Sequence, residues 1–280
     1  PPQGAPGCRF VFDPERPSTP PTVSSVQFPS GDDGWPVNTS PVRTTGQFVV
    51  TPGGATDVAA YEYWSTQDTT VRTATPATLN GTVTIELTPT KAGAHYLYVR
   101  SVDRAQNKSD LMAYLFYVNG AAAPDKPGDL NGDGHPDLWA VDGTGTLQRY
   151  FGDGTGTAVK ASQAASANGQ YTDTKTTRRG DWTDDGFEDL IVLKHDATEQ
   201  RDRLWVHAND GTGGIDQANV RELNVWGPEN DHWQGADQIL AIGDVDGPLD
   251  LDGDGTIGPN DRPGHPDLLV RKGDQLWLYF

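Results

Sequence analysis

The sequence predicts an all-β chain of two domains, a β-sandwich followed by part of a β-propeller with calcium-binding loops. Three observations predict it. Short runs of alternating β-branched and aromatic residues, separated by turn residues, fill positions 22–119; that is the strand signal, and no convincing helix interrupts it. An Asp/Gly-rich loop recurs three times after Gly128, opening at Asp129, Asp181 and Asp244. Finally, the 280 residues carry 39 acidic against 21 basic side chains, a net charge of −18, and thirteen of those acids stand at alternating or closing positions of the three loops.

Residues 1–21 are rich in proline and predict an extended linker. Within them residues 8–12 read as a short edge strand. Cys8 is the single cysteine and closes no internal disulfide; it is a plain linker residue or half of a bridge to a segment outside this sequence. The chain starts at Pro1 and its one methionine is Met112, which predicts a processed chain or a piece of a longer one.

The first domain spans 22–120, with strands expected at 23–28, 47–51, 58–64, 82–87, 95–102 and 112–118. Several short strands over this length argue for a sandwich. In 95–102, Tyr96, Tyr98, Arg100 and Val102 share one face, and Leu97 and Val99 the other. Residues 92–109, running from Ala92-Gly93 through Asp103-Arg104-Ala105-Gln106-Asn107, resemble the last hairpin of bacterial immunoglobulin-like and fibronectin-III-like modules. Gln106 stands where those modules usually have glycine. The resemblance implies an immunoglobulin-like sandwich, a fold that fixes no activity of its own. Residues 121–127, small and proline-containing, form a linker.

The second domain, 128–280, is organised by the repeat. Copy one occupies 128–138 and copy two 180–190; copy three opens at 243–247 and closes at 264–268 after an insertion. The openings are 52 and 63 residues apart. Such a period of short strands predicts propeller blades of four strands each, about three blades with the last truncated. A strand follows each loop, at 147–151, 204–208 and 276–280. Leu138, Leu190 and Leu268, directly after the last Asp, are expected to begin each blade's inner strand.

Oxygen side chains at alternate positions of a tight loop suit calcium, which takes six to eight hard oxygens at about 2.3–2.6 Å. Site one would use Asp129, Asn131, Asp133 and Asp137 with the carbonyl of His135. Site two would use Asp181, Thr183, Asp185 and Asp189 with the carbonyl of Phe187, and bind more weakly because Thr183 is neutral. In loop three the matching residues are Asp244, Asp246 and Asp267. Its insertion, 250–261, fits the EF-hand spacing, with Asp250, Asp252, Asp254, Thr256 at position seven and Asp261 closing the loop in place of Glu. Whether Asp244, Asp246 and Asp267 hold their own ion or share one with Asp250 is open at this level. About three to four Ca²⁺ are expected.

These loops resemble FG-GAP (VCBS-type) repeats of secreted bacterial proteins, in an actinobacterial style, and of integrin α-chain propellers. The resemblance covers about 150 residues. It implies an FG-GAP β-propeller that binds calcium outside the cytosol, in a secreted or cell-surface setting.

The charge opposes nucleic acid and anionic lipid as partners, and no apolar run approaches the ~18 residues of a spanning helix. The six histidines show no zinc spacing, and neither a nucleophile elbow nor a phosphate loop is present. Most clustered carboxylates already belong to the loops. A non-catalytic adhesion or binding module for an extracellular glycan or protein is therefore expected. The alternative is an accessory region of a secreted hydrolase whose catalytic domain lies outside this sequence, and a plain structural spacer is a third. Trp139, Trp205 and Trp277 recur on repeat strands and read as blade core. Trp226 and Trp233 lie off the repeat and are the ligand candidates. An open propeller edge would permit self-association.

Overall fold

The computed structural model describes residues 13–224, 232–258, 261–262 and 264–280. Cys8, the strand expected at 8–12 and Trp226 lie outside the described residues. The described residues are all-β, with 17 strands, and contacts divide the chain into two units, one ending at Gly120 and the other starting at Ala121.

The first unit holds β1 (Thr22–Ser25), β2 (Gly46–Thr51), β3 (Val58–Ser65), β4 (Arg72–Ala74), β5 (Val83–Leu87), β6 (Gly93–Asp103) and β7 (Met112–Val118). They form two antiparallel sheets, ordered β1-β2-β5 and β4-β3-β6-β7. Alternation along each strand sends Phe48 and Val50, Ile85, Leu97 and Val99, and Tyr114, Phe116 and Val118 to buried positions. Phe48 of the first sheet meets Tyr114 and Phe116 of the second at ring distances of 5.9 and 5.1 Å, so the two inner faces share one core. The sequence pattern misses β4, three residues with no buried side chain. It also ends β6 early at both ends, because pairing with β7 continues to Gly93 opposite Val118.

The second unit holds β8 (Leu138–Val141), β9 (Leu147–Gly152), β10 (Ala158–Lys160), β11 (Lys175–Arg178), β12 (Leu190–Asp196), β13 (Arg201–Asn209), β14 (Ile215–Glu222), β15 (Gln238–Gly243), β16 (Asp267–Lys272) and β17 (Gln275–Tyr279). The three sheets are ordered β10-β9-β8, β11-β12-β13-β14 and β15-β16-β17. Each acidic loop precedes β8, β12 or β16. Loops two and three, however, start from a strand of the same sheet, β11 or β15. Leu190 and Leu268 therefore stand at the start of the second strand of their sheets, β12 and β16, each flanked by a strand on both sides. Only the middle sheet has the expected four strands among the described residues. Before loop one stands the stretch with Pro124 and Pro127, which makes no strand.

The middle sheet is covered on both faces. Ile191, Leu193, Leu204 and Val206 pack with Ile239, Ala241, Leu268 and Val270 of the third sheet. Leu190 and Val192 pack the other way, with Leu147, Ala165 and Tyr171, and with the partly buried Trp139, Trp205 and Val220. A strand buried on both sides reads as an unbroken apolar run, which explains Leu190-Ile191-Val192-Leu193. Trp277 departs from the core reading. It is 48 % exposed, on a β17 that no described element covers from outside, with Lys272 Nζ 5.7 Å from its ring centre.

Candidate metal centre

Loops one and two fold alike because their aspartates collect backbone amides. Asp129 Oδ1 accepts the Asn131 and Gly132 amides at 3.2 and 2.6 Å, and Oδ2 accepts that of Gly134 at 2.8 Å. In loop two, Asp181 Oδ1 accepts Thr183 and Asp185 at 3.1 and 3.2 Å, and Oδ2 accepts Gly186 at 2.7 Å. Gly134 and Gly186 take φ of 86° and 91°, a region costly for any residue with a Cβ. Asp133 and Asp185 each receive the amide two residues on, from His135 at 2.8 Å and Phe187 at 2.9 Å, and Asn131 Oδ1 receives that of Asp133 at 3.0 Å.

The closing aspartates bind each loop to its sheet. Asp137 accepts Leu130 and Gly152 amides, both at 2.9 Å. Asp189 accepts those of Trp182 and Asn209 at 2.9 and 3.0 Å. Both are fully buried. Asp267, 1 % exposed, accepts Val245 at 2.7 Å on Oδ2, while its Oδ1 has no partner. The donors in copies one and two, Gly152 and Asn209, follow directly after the residue opposite the closing Asp.

Burial pushes the Asp189 carboxyl up to about 7, and the charges of Asp185 and Asp181 add to it against the pull of two amides. Asp137 is raised in the same way, by burial first and then by Asp133 and Asp129. Neither makes an ion pair among the described residues. The donor set is all oxygen, the hard chemistry that suits calcium over zinc. Thr183 Oγ1, at the third position of loop two, is buried without a hydrogen-bond partner. The residues present therefore fit a hard divalent cation.

Three carboxylates, each with an oxygen within 4.8 Å of the others, converge at Asp244, Asp246 and Asp267, and separately at Asp250, Asp252 and Asp254. The two sets of loop three are thus distinct groups. Loops one and two do not gather three carboxylates so closely, since their closing Asp is turned to amides. In the insertion, Asp250 accepts the amides of Gly253 and Gly255 at 2.6 and 2.8 Å, and Asp254 accepts both the amide and the hydroxyl of Thr256 at 2.8 and 2.7 Å. Asp261 accepts Leu251 and Gly258 at 2.8 and 2.7 Å, and mutual bonds between Leu249 and Arg262 close its base.

Other features escape sequence reasoning. Asp13, Asp57 and the buried Asp103 form a third carboxylate group, in the first unit, from positions far apart in sequence. Glu188, 7 % exposed, accepts the Gly128 amide at 2.9 Å and pairs with Arg178 at 2.9 Å. Arg178 in turn donates to the carbonyls of Gly128 and Asp137 at 3.1 and 2.5 Å. Blade two thereby holds both ends of loop one. Trp233 is a correction: it is 8 % exposed, packs into the core between the second and third sheets, and donates Nε1–H to the Leu223 carbonyl at 3.2 Å. A residue off the repeat here plugs the blade junction instead of offering an exposed surface.

Tyr171 and His207 are both buried, with Tyr171 Oη 2.7 Å from His207 Nδ1. Burial, with a smaller push from the Lys194 charge, lowers the His207 pKa to about 4. The unfolded chain takes up this proton near pH 6.5. This contribution to stability is therefore complete above pH 6.5 and lost as pH falls to about 4, up to about 3 kcal/mol in all. Urea unfolding across that window should show a shallower pH dependence in His207→Gln than in wild type.

Two of the three acidic loops join successive strands of one small sheet, β11 to β12 and β15 to β16. Residues 129–192, from the first loop aspartate to the third residue of β12, match the FG-GAP-like repeat family. The chain thus contains an FG-GAP-like repeat, a structural repeat and not a catalytic domain. No curated protein matches the chain.

Proposed function

We propose that the chain is a non-catalytic, calcium-stabilised binding or adhesion module of a secreted or cell-surface protein, directed at an extracellular glycan or protein. The observation that carries this reading is the pair of buried carboxylates, Asp137 and Asp189, set among further acids and ion-paired with no cationic side chain among the described residues. A bound Ca²⁺ would supply the missing countercharge and tie loop to sheet. Asp129, Asn131, Asp133 and Asp137 would hold one ion, and Asp181, Thr183, Asp185 and Asp189 a second. Asp244, Asp246 and Asp267 would hold a third, and Asp250, Asp252, Asp254 and Asp261 a fourth. The first unit fits a fibronectin-III-like spacer, because β4 pairs with β3 and not with β5 as in constant-type immunoglobulin domains.

Calorimetry with and without EGTA, with elemental analysis, tests the metal. A ligand at about a hundred times its Kd stabilises by about 2.7 kcal/mol, so chelation should lower Tm by about 5–10 °C per well-filled site. An unchanged Tm with no metal detected refutes it. A glycan array read with calcium and with chelator tests the ligand; no calcium-dependent hit counts against glycan recognition.

A further inference from the structure

A cavity of about 520 Å³ opens on the middle sheet of the second unit, lined by Val192, Lys194, Asp196, Arg203, Trp205 and His207, among others. Strand register explains the set. Val192 lies opposite Trp205 and Lys194 opposite Arg203, and these alternate residues share the face that packs toward blade one. Blade one covers the inner end of that face through Leu147, Ala165 and Tyr171. The outer end stays open, grading from the apolar Val192, Trp205 and Val220 to charged Lys194, Arg203 and Asp196.

Its polar side chains include the donors Lys194 and His207, beside an acid, Asp196, that pairs with Arg203. Tyr171 Oη lies 2.7 Å from His207 Nδ1; with the phenol donating, the neutral imidazole carries its proton on Nε2. Arg203 is committed: Asp196, Glu199 and Glu222 lie 3.2, 2.5 and 2.7 Å from its guanidinium. Lys194 is not. Its Nζ donates to the Gln170 carbonyl at 3.2 Å, and it makes no ion pair among the described residues. In a chain of net charge −18, an ammonium without a carboxylate, beside an indole and an imidazole N–H, selects for an anion carried on a ring.

We infer that this cavity binds a carboxylate-bearing saccharide, its ring against Trp205 and its carboxylate on Lys194 Nζ and His207 Nε2–H. The inference rests on the binding-module reading and names the ligand class and site, which is separate from the acidic loops. Aromatic surface with a few placed polar groups is the usual make-up of a small-ligand site, and a charged partner roughly doubles the strength of a hydrogen bond.

Tryptophan fluorescence and ligand-observed NMR titrations of the calcium-loaded chain with D-glucuronate, D-glucose and acetate test it. Glucuronate should saturate, glucose should bind at least about tenfold more weakly, and acetate should not saturate. Lys194→Gln, a surface change, should bring glucuronate down to the glucose level, and Trp205→Ala should abolish both. Added salt should weaken glucuronate alone. Trp277→Ala, on the third sheet, should change nothing. Equal affinity for glucose and glucuronate, glucuronate binding that survives Lys194→Gln in a folded variant, or no saturation at all overturns the assignment. A calcium-dependent array hit that persists in Trp205→Ala overturns only this cavity and leaves the binding-module reading standing.

Discussion

Replacing Asp189 by alanine is expected to lower the stability of the second unit by about 4 kcal/mol. The side chain is fully buried, and its loss strands the amides of Trp182 and Asn209, each worth about 1–3 kcal/mol when left without a partner. Asp189→Asn is the sharper experiment because its sign depends on the cation. Asparagine keeps one acceptor oxygen but turns an NH₂ toward the second amide, a cost that is the same with or without metal. Removal of the charge is not the same in the two conditions. In EGTA it relieves repulsion from Asp181 and Asp185 and the penalty of burying an ion, so it offsets part of the lost hydrogen bond. In calcium it deletes a ligand. Urea unfolding followed by tryptophan fluorescence should therefore find Asp189→Asn more destabilised in calcium than in EGTA, by about 1–3 kcal/mol. Equal losses in both conditions would show that loop two holds no cation.

The features legible in the sequence were those written locally and repeatedly. The acidic loops show in their spacing, because an aspartate that caps amides two to five residues on needs the same short pattern each time. The run at 190–193 shows a strand buried on both faces, and the alternation in 47–51 shows the inner face of a sheet. What stayed hidden depends on residues distant in the chain. Glu188 occupies the eighth loop position, where copies one and three have Pro136 and Pro266, so comparing copies marks it as an exception without saying what it holds. Lys194 and His207 line one cavity only because the β12–β13 register brings their strands together. Trp233 misled for a physical reason: leaving the repeat does not mean leaving the core, since the segment between blades supplies the plug that strands of two sheets need. β11, Lys175–Arg178, stays hidden because it has no apolar alternation to announce it.

Glu188→Ala is expected to loosen loop one although Glu188 is no ligand of it. The carboxylate accepts the Gly128 amide and steers Arg178, whose guanidinium holds the carbonyls on either side of the loop. Breaking a buried pair by removing one partner costs about 3–5 kcal/mol; with Arg178 23 % exposed, the lower end, about 3 kcal/mol, is expected. Hydrogen exchange at the amides of Gly128 and Asp137 should accelerate, and cation affinity at loop one should fall while loop two keeps its own ligands. Arg178→Ala/Glu188→Ala should cost less than the two single losses added together, because no guanidinium is then left uncompensated. The same coupling recurs one blade on. A Cβ on Gly180 would sit 2.6 Å from the ring of Pro266, at a φ of 107°, so the eighth position of loop three bears on the glycine ahead of loop two, as Glu188 bears on Gly128. Gly180→Ala should therefore push loops two and three apart and weaken both. Loops one and two are thus each held from outside by the loop that follows, so cations bound in neighbouring loops would be coupled. Strictly additive effects of Glu188→Ala and Asp129→Ala on stability would show the loops to be independent.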